Sequence, residues 1–168
     1  MVLEDIKNRY SVRKFSSQKI ESEKMQAVLE AARLAPSAKN MQPWKFIIIT
    51  DDEKREQLVD ICRGQKFVAE APATIAICCN NLDYTMRCGH PASIIDGALA
   101  SQNIAIQAVA LGLGTCWIGS FIQERAQELI SLPEGWVIVG LIPIGYPMIE
   151  KGNRKLKPVD EVISYNSF

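Results

Sequence analysis

Two short stretches of this chain carry side chains suited to gripping a small polar ligand. The first is Arg9-Tyr10-Ser11-Val12-Arg13-Lys14-Phe15. An extended chain alternates its side chains, so Arg9, Ser11 and Arg13 project to one side while Tyr10 and Val12 point away. Two guanidinium forks flanking a hydroxyl suit a phosphate or a polyol; a solvated basic segment would read the same way. The second is Ala35-Pro36-Ser37-Ala38-Lys39-Asn40-Met41-Gln42-Pro43-Trp44. Its neutral amides each offer a donor and an acceptor, which matches a flat heterocycle with mixed edges; an ordinary helix-to-strand loop is the alternative. A third run, Gly152-Asn153-Arg154-Lys155-Leu156-Lys157-Pro158, brings positive charge that either reaches the same anion or lies solvated on the surface.

Other chemistries find little support. Gly112-Leu113-Gly114-Thr115-Cys116-Trp117 begins like a dinucleotide fingerprint, but Trp117 stands where the third glycine belongs. It also runs from helix into strand, the reverse of the required order, so it reads as a glycine turn ending a helix. There is no P-loop and no G-x-S-x-G motif. His90 is the only histidine, and Cys88-Gly89-His90 lacks the C-x-x-C that would complete a tetrahedral metal site. A Cys–His nucleophilic pair has no third partner.

Composition narrows the field further. The 168 residues are 48% hydrophobic and 23% charged, the size and balance of one globular domain spanning residues 1–168. Lys plus Arg equals Asp plus Glu at 19 each, so the surplus positive charge that nucleic-acid binding demands is missing. Met1 to Lys7 is no signal peptide. The five cysteines are odd in number and without framework spacing, which points to reduced thiols in a cytoplasm. The longest apolar stretch, Ala92 to Leu113, is interrupted by Asp96, Gln102, Asn103 and Gln107 and lacks basic flanks. It reads as a buried core helix, not a membrane span.

These motifs need elements to position them. The pattern predicts a short helix over Leu3 to Asn8, then an extended stretch over Arg9 to Phe15. An amphipathic helix follows over Glu21 to Ala35, with Met25, Val28, Leu29 and Ala32 at i, i+3, i+4, i+7. Phe46 to Thr50 reads as a strand buried on both faces. Asp51 or Asp52 caps a helix to about Cys62, and Ala73 to Cys79 is a second strand. Pro91 opens the long central helix, which ends near Gly112 or Gly114. Thr115 to Gly119 is a third strand, Ile122 to Leu132 a helix and Val137 to Ile144 a fourth strand. Alternating helices and strands predict a helix-covered sheet. The central helix is apolar on nearly all sides, so a second copy of the chain is the natural cover and a homodimer is expected.

Taken together, Arg9-x-Ser11-x-Arg13-x-Phe15, Ala35-Pro36-Ser37 through Asn40-x-Gln42-Pro43-Trp44, Asp96 through Gln102-Asn103 with Gly112-Leu113-Gly114-Thr115, Trp117-Ile118-Gly119, Gly145-Tyr146-Pro147 and the basic tail before Pro158 resemble the nitroreductase family of flavoproteins, in a short form, over nearly the whole chain. The resemblance implies an α+β fold with a central mixed β-sheet flanked by helices. It also implies a homodimer with a long buried central helix and FMN held noncovalently at the subunit interface. By similarity, Arg9 and Ser11 contact the phosphate or ribityl chain, and Arg13 lies near the ribityl chain and the pyrimidine end. Asn40 and Gln42 contact the flavin from the partner subunit with Ser37 assisting, the Ile118-Gly119 backbone lies near the N5 and O4 edge, and Arg154 helps neutralise the phosphate.

The implied activity passes hydride from NADH or NADPH through FMN to a nitroaromatic, quinone or related acceptor by a ping-pong route. The side chains hold and tune the cofactor, and none acts as a nucleophile. A specialised flavin enzyme (a dehalogenase or a flavin-processing activity) and a non-catalytic flavin store or redox sensor are the alternatives. The chain departs from the family pattern twice: Leu156 replaces a second basic residue in the tail, and the segment Asn80 to Ala92 is short. A short segment implies a differently walled pocket, with Tyr84, Arg87, Cys88 or His90 nearby.

Overall fold

In the computed structural model, which describes residues 1–80 and 82–168, four strands pair in the order β1-β2-β4-β3. β1 (Trp44–Ile49), β2 (Ala73–Cys79), β3 (Gly114–Thr115) and β4 (Val137–Gly145) form antiparallel ladders throughout. The parallel component is one bridge from Ser11 to Thr115. All seven residues of β2 are buried, as a strand flanked by neighbours and covered on both faces must be. Its side chains alternate: Ala76 and Cys78 enter one core, Ile75 and Ile77 the other. A bulge opposite Ile77 and Cys78 places one extra residue in β4. Ile138 and Leu141 therefore reach the first core although three positions apart.

Helices cover both faces. The first core receives α3 (Asp52–Ile61), α4 (Phe67–Glu70) and α6 (Gln123–Leu129) through Leu58, Val68 and Ala126. The second receives α2 (Ser22–Arg33) and α5 (Ala92–Ala110) through Val28, Ala32, Ala100 and Ile104. α1 (Glu4–Asn8) precedes them. The Asp51 side chain accepts the Lys54 N–H at 2.9 Å, so the predicted cap of α3 is present. At the other end of α5, Gly112 adopts φ +74°. The Leu113 N–H reaches Ala108 O at 2.8 Å and the Gly112 N–H reaches Val109 O at 3.0 Å, which is the double closure of a glycine-ended helix. Nothing lies within 4 Å of where a Cβ on Gly112 would stand, so Gly112→Ala tests the backbone alone. A loss of about 1–2 kcal/mol in urea unfolding is expected; an unchanged midpoint would show that the turn is not left-handed.

Four elements differ from the sequence expectation. β1 begins at Trp44 and is an edge strand, so Phe46, Ile47 and Ile48 are only half-buried within this chain. The third strand shrinks from Thr115–Gly119 to Gly114–Thr115 plus a single bridge between Ile118 and Leu141. Its ladder breaks where the Trp117 indole lies over Gly140, whose absent Cβ would stand 2.6 Å from the ring nitrogen. α4 and the 3-10 turn over Ala38–Asn40 are too short to leave a periodic signal. α5 buries Asp96, Ala100, Ile104 and Ala108 along one stripe, while Ile94, Ile95 and Leu99 are 40%, 37% and 42% exposed. No helix among the described residues is long and apolar enough to cross a membrane.

Candidate functional site

The segment after α1 alternates as far as Arg13 and then shifts face, so that Phe15 turns inward. Val12 and Phe15 are buried in the first core, while Ser11 and Arg13 are exposed and Arg9 is half-buried. The Val12 N–H donates to Thr115 O at 2.9 Å, stitching the segment beside β3. Arg9 and Ser11 thereby line a cavity of about 240 Å³ with Trp117 and with Ser101, Gln102 and Ala105 of α5. Arg13 is not in that lining. Burial pushes the Cys116 thiol upward, and Arg13, a hydrogen bond with Ser11, and Arg9 all act on it in the opposite direction.

Trp117 was not among the side chains singled out from sequence, yet its 52% exposed indole walls the cavity. The available signal was alternation: with Cys116 and Ile118 inward, Trp117 must face out. Its ring also lies against Gly119, whose absent Cβ would stand 2.9 Å away. Ile118 is 3% exposed, and its N–H and C=O are both used in the bridge to Leu141, at 2.9 and 3.1 Å. Of the two neighbouring residues, Gly119 is the exposed one, and its amide makes no hydrogen bond among the described residues.

The amide loop lies outside that cavity within one chain. Lys39, Asn40 and Gln42 all take left-handed φ values of 52°, 54° and 49°. Three such residues in four positions is a strained arrangement that local contacts must hold. Ser37 Oγ accepts the Gln42 N–H at 2.9 Å, and Gln42 Nε2 donates to Asn40 Oδ1 at 3.3 Å. Neither Asn40 nor Gln42 lines the cavity of Arg9 and Ser11. Lys39 Nζ sits 4.6 Å from the centre of the Tyr84 ring. Tyr84 leads into a small hairpin, with Thr85 bridged to Pro91 and the Met86 N–H donating to His90 O at 2.9 Å. The short segment Asn80 to Ala92 is therefore a hairpin folded beside the amide loop, apart from residue 81, which lies outside the described residues. Arg154 is exposed on the terminal arm and forms no ion pair among the described residues.

A larger cleft, about 1130 Å³, opens at the far end of β1 beside Lys19, Met25, Ile48 and Asp51. It contains none of the candidate residues. Two of its charged groups are committed to the fold, since Asp51 caps α3 and Arg55 Nη1 donates to Ala71 O at 2.7 Å.

Four of the five cysteines are buried and Cys88 is exposed. Burial pushes the Cys62 thiol to about 11 and those of Cys78 and Cys79 to about 12. Since the thiolate is the reactive form, a disulfide reagent at pH 8 should modify one thiol per native chain quickly and all five only in denaturant. Two fast thiols would contradict this packing. The sign of the pH effect follows. Folded thiol values above the unfolded value of ~8.5 leave stability intact at neutral pH and erode it as pH climbs through 11–12.

The structure defines an α+β domain with helices on both faces of an antiparallel sheet and a polar cavity, lined by Arg9, against a long helix. The Nitroreductase family model matches residues 6–66 and 62–146, and the chain belongs to that family. A Methanothermobacter thermautotrophicus protein whose name joins NADH dehydrogenase and NAD(P)H nitroreductase is 34% identical over 165 residues, covering 96% of this chain and 85% of that one. A Bacillus subtilis protein named FMN reductase (NADPH) is 26% identical over 188 residues, covering 99% and 74%. A solved structure from Parabacteroides distasonis, with the same joined name, superposes with TM-score 0.87 at 30% identity and covers 98% of this chain and 97% of that one.

Proposed function

We propose that this protein is an NAD(P)H-dependent oxidoreductase of the nitroreductase type that works with FMN held between two copies of the chain. The observation that carries the reading is the convergence of Arg9 and Ser11, with Trp117, on one cavity beside α5. When bound, FMN would supply the redox chemistry for hydride transfer from NADH or NADPH to an oxidised acceptor such as a nitroaromatic or quinone.

The chain's own groups fit that cofactor. A phosphate with about two negative charges calls for several donors, and Arg9 and Ser11 in the cavity lining, with Arg13 two residues on, are the groups that would supply them. Ser101 and Gln102 add neutral hydrogen-bonding partners for a polyol. Trp117 offers a flat apolar wall. The unpaired Gly119 amide is a donor for an acceptor edge, and its lack of a side chain permits close approach. Asn40 and Gln42 supply the mixed donor–acceptor edge suited to the pyrimidine end. Arg154, on its exposed arm, adds charge toward the phosphate.

Size argues for two chains. About 240 Å³ is below the ~300–1,000 Å³ usual for a small-molecule site, so one copy builds only part of the slot. The exposed Ile94, Ile95 and Leu99 of α5, and the exposed apolar residues Leu156, Val159, Val162 and Ile163 of the terminal arm, form the kind of apolar surface that a second copy covers. A mass measurement in solution should give a dimer; a monomer that still binds FMN tightly would overturn the shared-slot reading.

The activity is tested by anaerobic titration of the purified protein with NADH and with NADPH. The flavin absorbance should bleach and return when a nitroaromatic or quinone is added. A yellow protein that stays oxidised under both donors would instead be a flavin store or sensor. A colourless one that ignores added FMN would overturn flavin binding itself.

A further inference from the structure

Asp96 is 3% exposed, sits in the first half of α5 and forms no ion pair among the described residues. Burying a carboxylate without a cation costs stability, and its burial raises its pKa, partly opposed by one backbone hydrogen bond. Among the described residues the Asp96 carboxylate has one hydrogen-bonding partner: the Ala38 N–H is shared between Oδ1 at 3.1 Å and Oδ2 at 3.2 Å. Ala38 opens the 3-10 turn that leads directly into the left-handed Lys39, Asn40 and Gln42. The residue after Asp96 is Gly97, which lets α5 lie directly against Cys79 and Val139. Asp96 therefore rides on a rigidly seated helix. The same helix lines the Arg9–Ser11 cavity one to two turns further on, at Ser101 and Gln102.

We infer that Asp96 is a positioning residue for the flavin site, its carboxylate seated on the Ala38 amide so that the strained loop presents Asn40 and Gln42 in one fixed arrangement. This rests on the reading, given above, that Gln42 and Asn40 contact FMN. Ser37 holds the far end of the same loop through the Gln42 N–H. With Asp96 holding its start, the loop is fastened at both ends. A strained loop released at either end is expected to relax toward ordinary φ values and lose its preformed edge.

The test is FMN titration of the full chain followed by flavin fluorescence. Asp96→Ala should weaken FMN binding about tenfold, as loss of a buried charge-assisted bond does. Asp96→Asn, which keeps a carbonyl oxygen for the Ala38 N–H, should restore affinity to within about threefold. Asp96→Ala combined with Gln42→Ala should bind no more weakly than Asp96→Ala alone, because a loop already displaced cannot lose the Gln42 contact twice. A general loss of stability would leave the two effects additive, and additivity overturns the positioning role while leaving the flavin contact standing. Native affinity in Gln42→Ala overturns the contact itself and the inference with it. Should Asp96→Ala not fold, Ala38→Pro removes the donor at a first-turn position that accepts proline; native affinity in that variant also overturns the role.

Discussion

Arg9→Ala is expected to weaken FMN binding by about 1–3 kcal/mol, roughly 5- to 150-fold in Kd. Arg9 stands where α1 gives way to extended backbone, with its N–H bonded to Asp5 O at 3.0 Å. The side chain is half-buried beside the cavity and has no carboxylate partner among the described residues. Its charge is therefore available to a ligand rather than spent within the fold. The loss should shrink as salt is raised, since part of the attraction is screened. Arg9→Lys should recover only part of it, because a single ammonium cannot reproduce the fork. Lys7→Ala is the control: Lys7 lies two residues earlier on the surface and already pairs with Glu4 at 2.6 Å, so FMN affinity should hold. An FMN titration in which Arg9→Ala matches the parent chain would remove Arg9 from the site.

Gly97→Val should lower stability by about 1–3 kcal/mol, a fall in Tm of about 2–4 °C for each kcal/mol in a chain this long. A Cβ at position 97 would stand 2.9 Å from Cys79 Sγ and 3.0 Å from a Val139 methyl. Both neighbours belong to the central strands, which cannot retreat without disturbing the ladders on either side. Glycine is a poor residue for a helix interior, so its presence here marks a position where close packing outweighs propensity. The variant should also weaken FMN binding, because lifting α5 from the sheet moves Asp96 and Gln102 together. Gly152→Val, where a Cβ meets nothing within 4 Å, should melt with the parent chain. Equal melting of Gly97→Val and parent would show that α5 does not rest on β2 and β4 as described.

Much of the fold is legible in the residues because its signals are local. Ala73–Cys79 carries a strand pattern along its whole length, and Asp51 announces the α3 cap. Gly112 marks the end of α5 because few other residues tolerate its backbone angles. Alternation along residues 9–13 is equally local, and it correctly separates Val12 from Ser11 and Arg13. What is not legible is what depends on neighbours distant in sequence. The apolar run of β1 says that it is covered, but not that it occupies an edge. Trp117 reads as one more aromatic until Gly140 and Gly119 are found beneath its ring. Asp96 reads as an interruption of an apolar helix until Ala38, 58 residues away, is found on its carboxylate.

The amino-acid order alone determined most of the elements and the resemblance to the family, and it set which donor types are on hand for a ligand. Helical periodicity, capping, strand alternation and the donor types of Arg, Ser, Asn and Gln are properties of a few adjacent residues. The tertiary structure alone decided which of these groups meet. It joined Arg9 and Ser11 to a cavity on α5, tied up the Ile118 backbone while giving the Gly119 amide no partner among the described residues, and left the Asn40–Gln42 loop outside that cavity in the same chain. The reason is physical: such contacts are set by how a bulged sheet and a closely seated helix pack across long sequence separations, and no local pattern encodes that geometry.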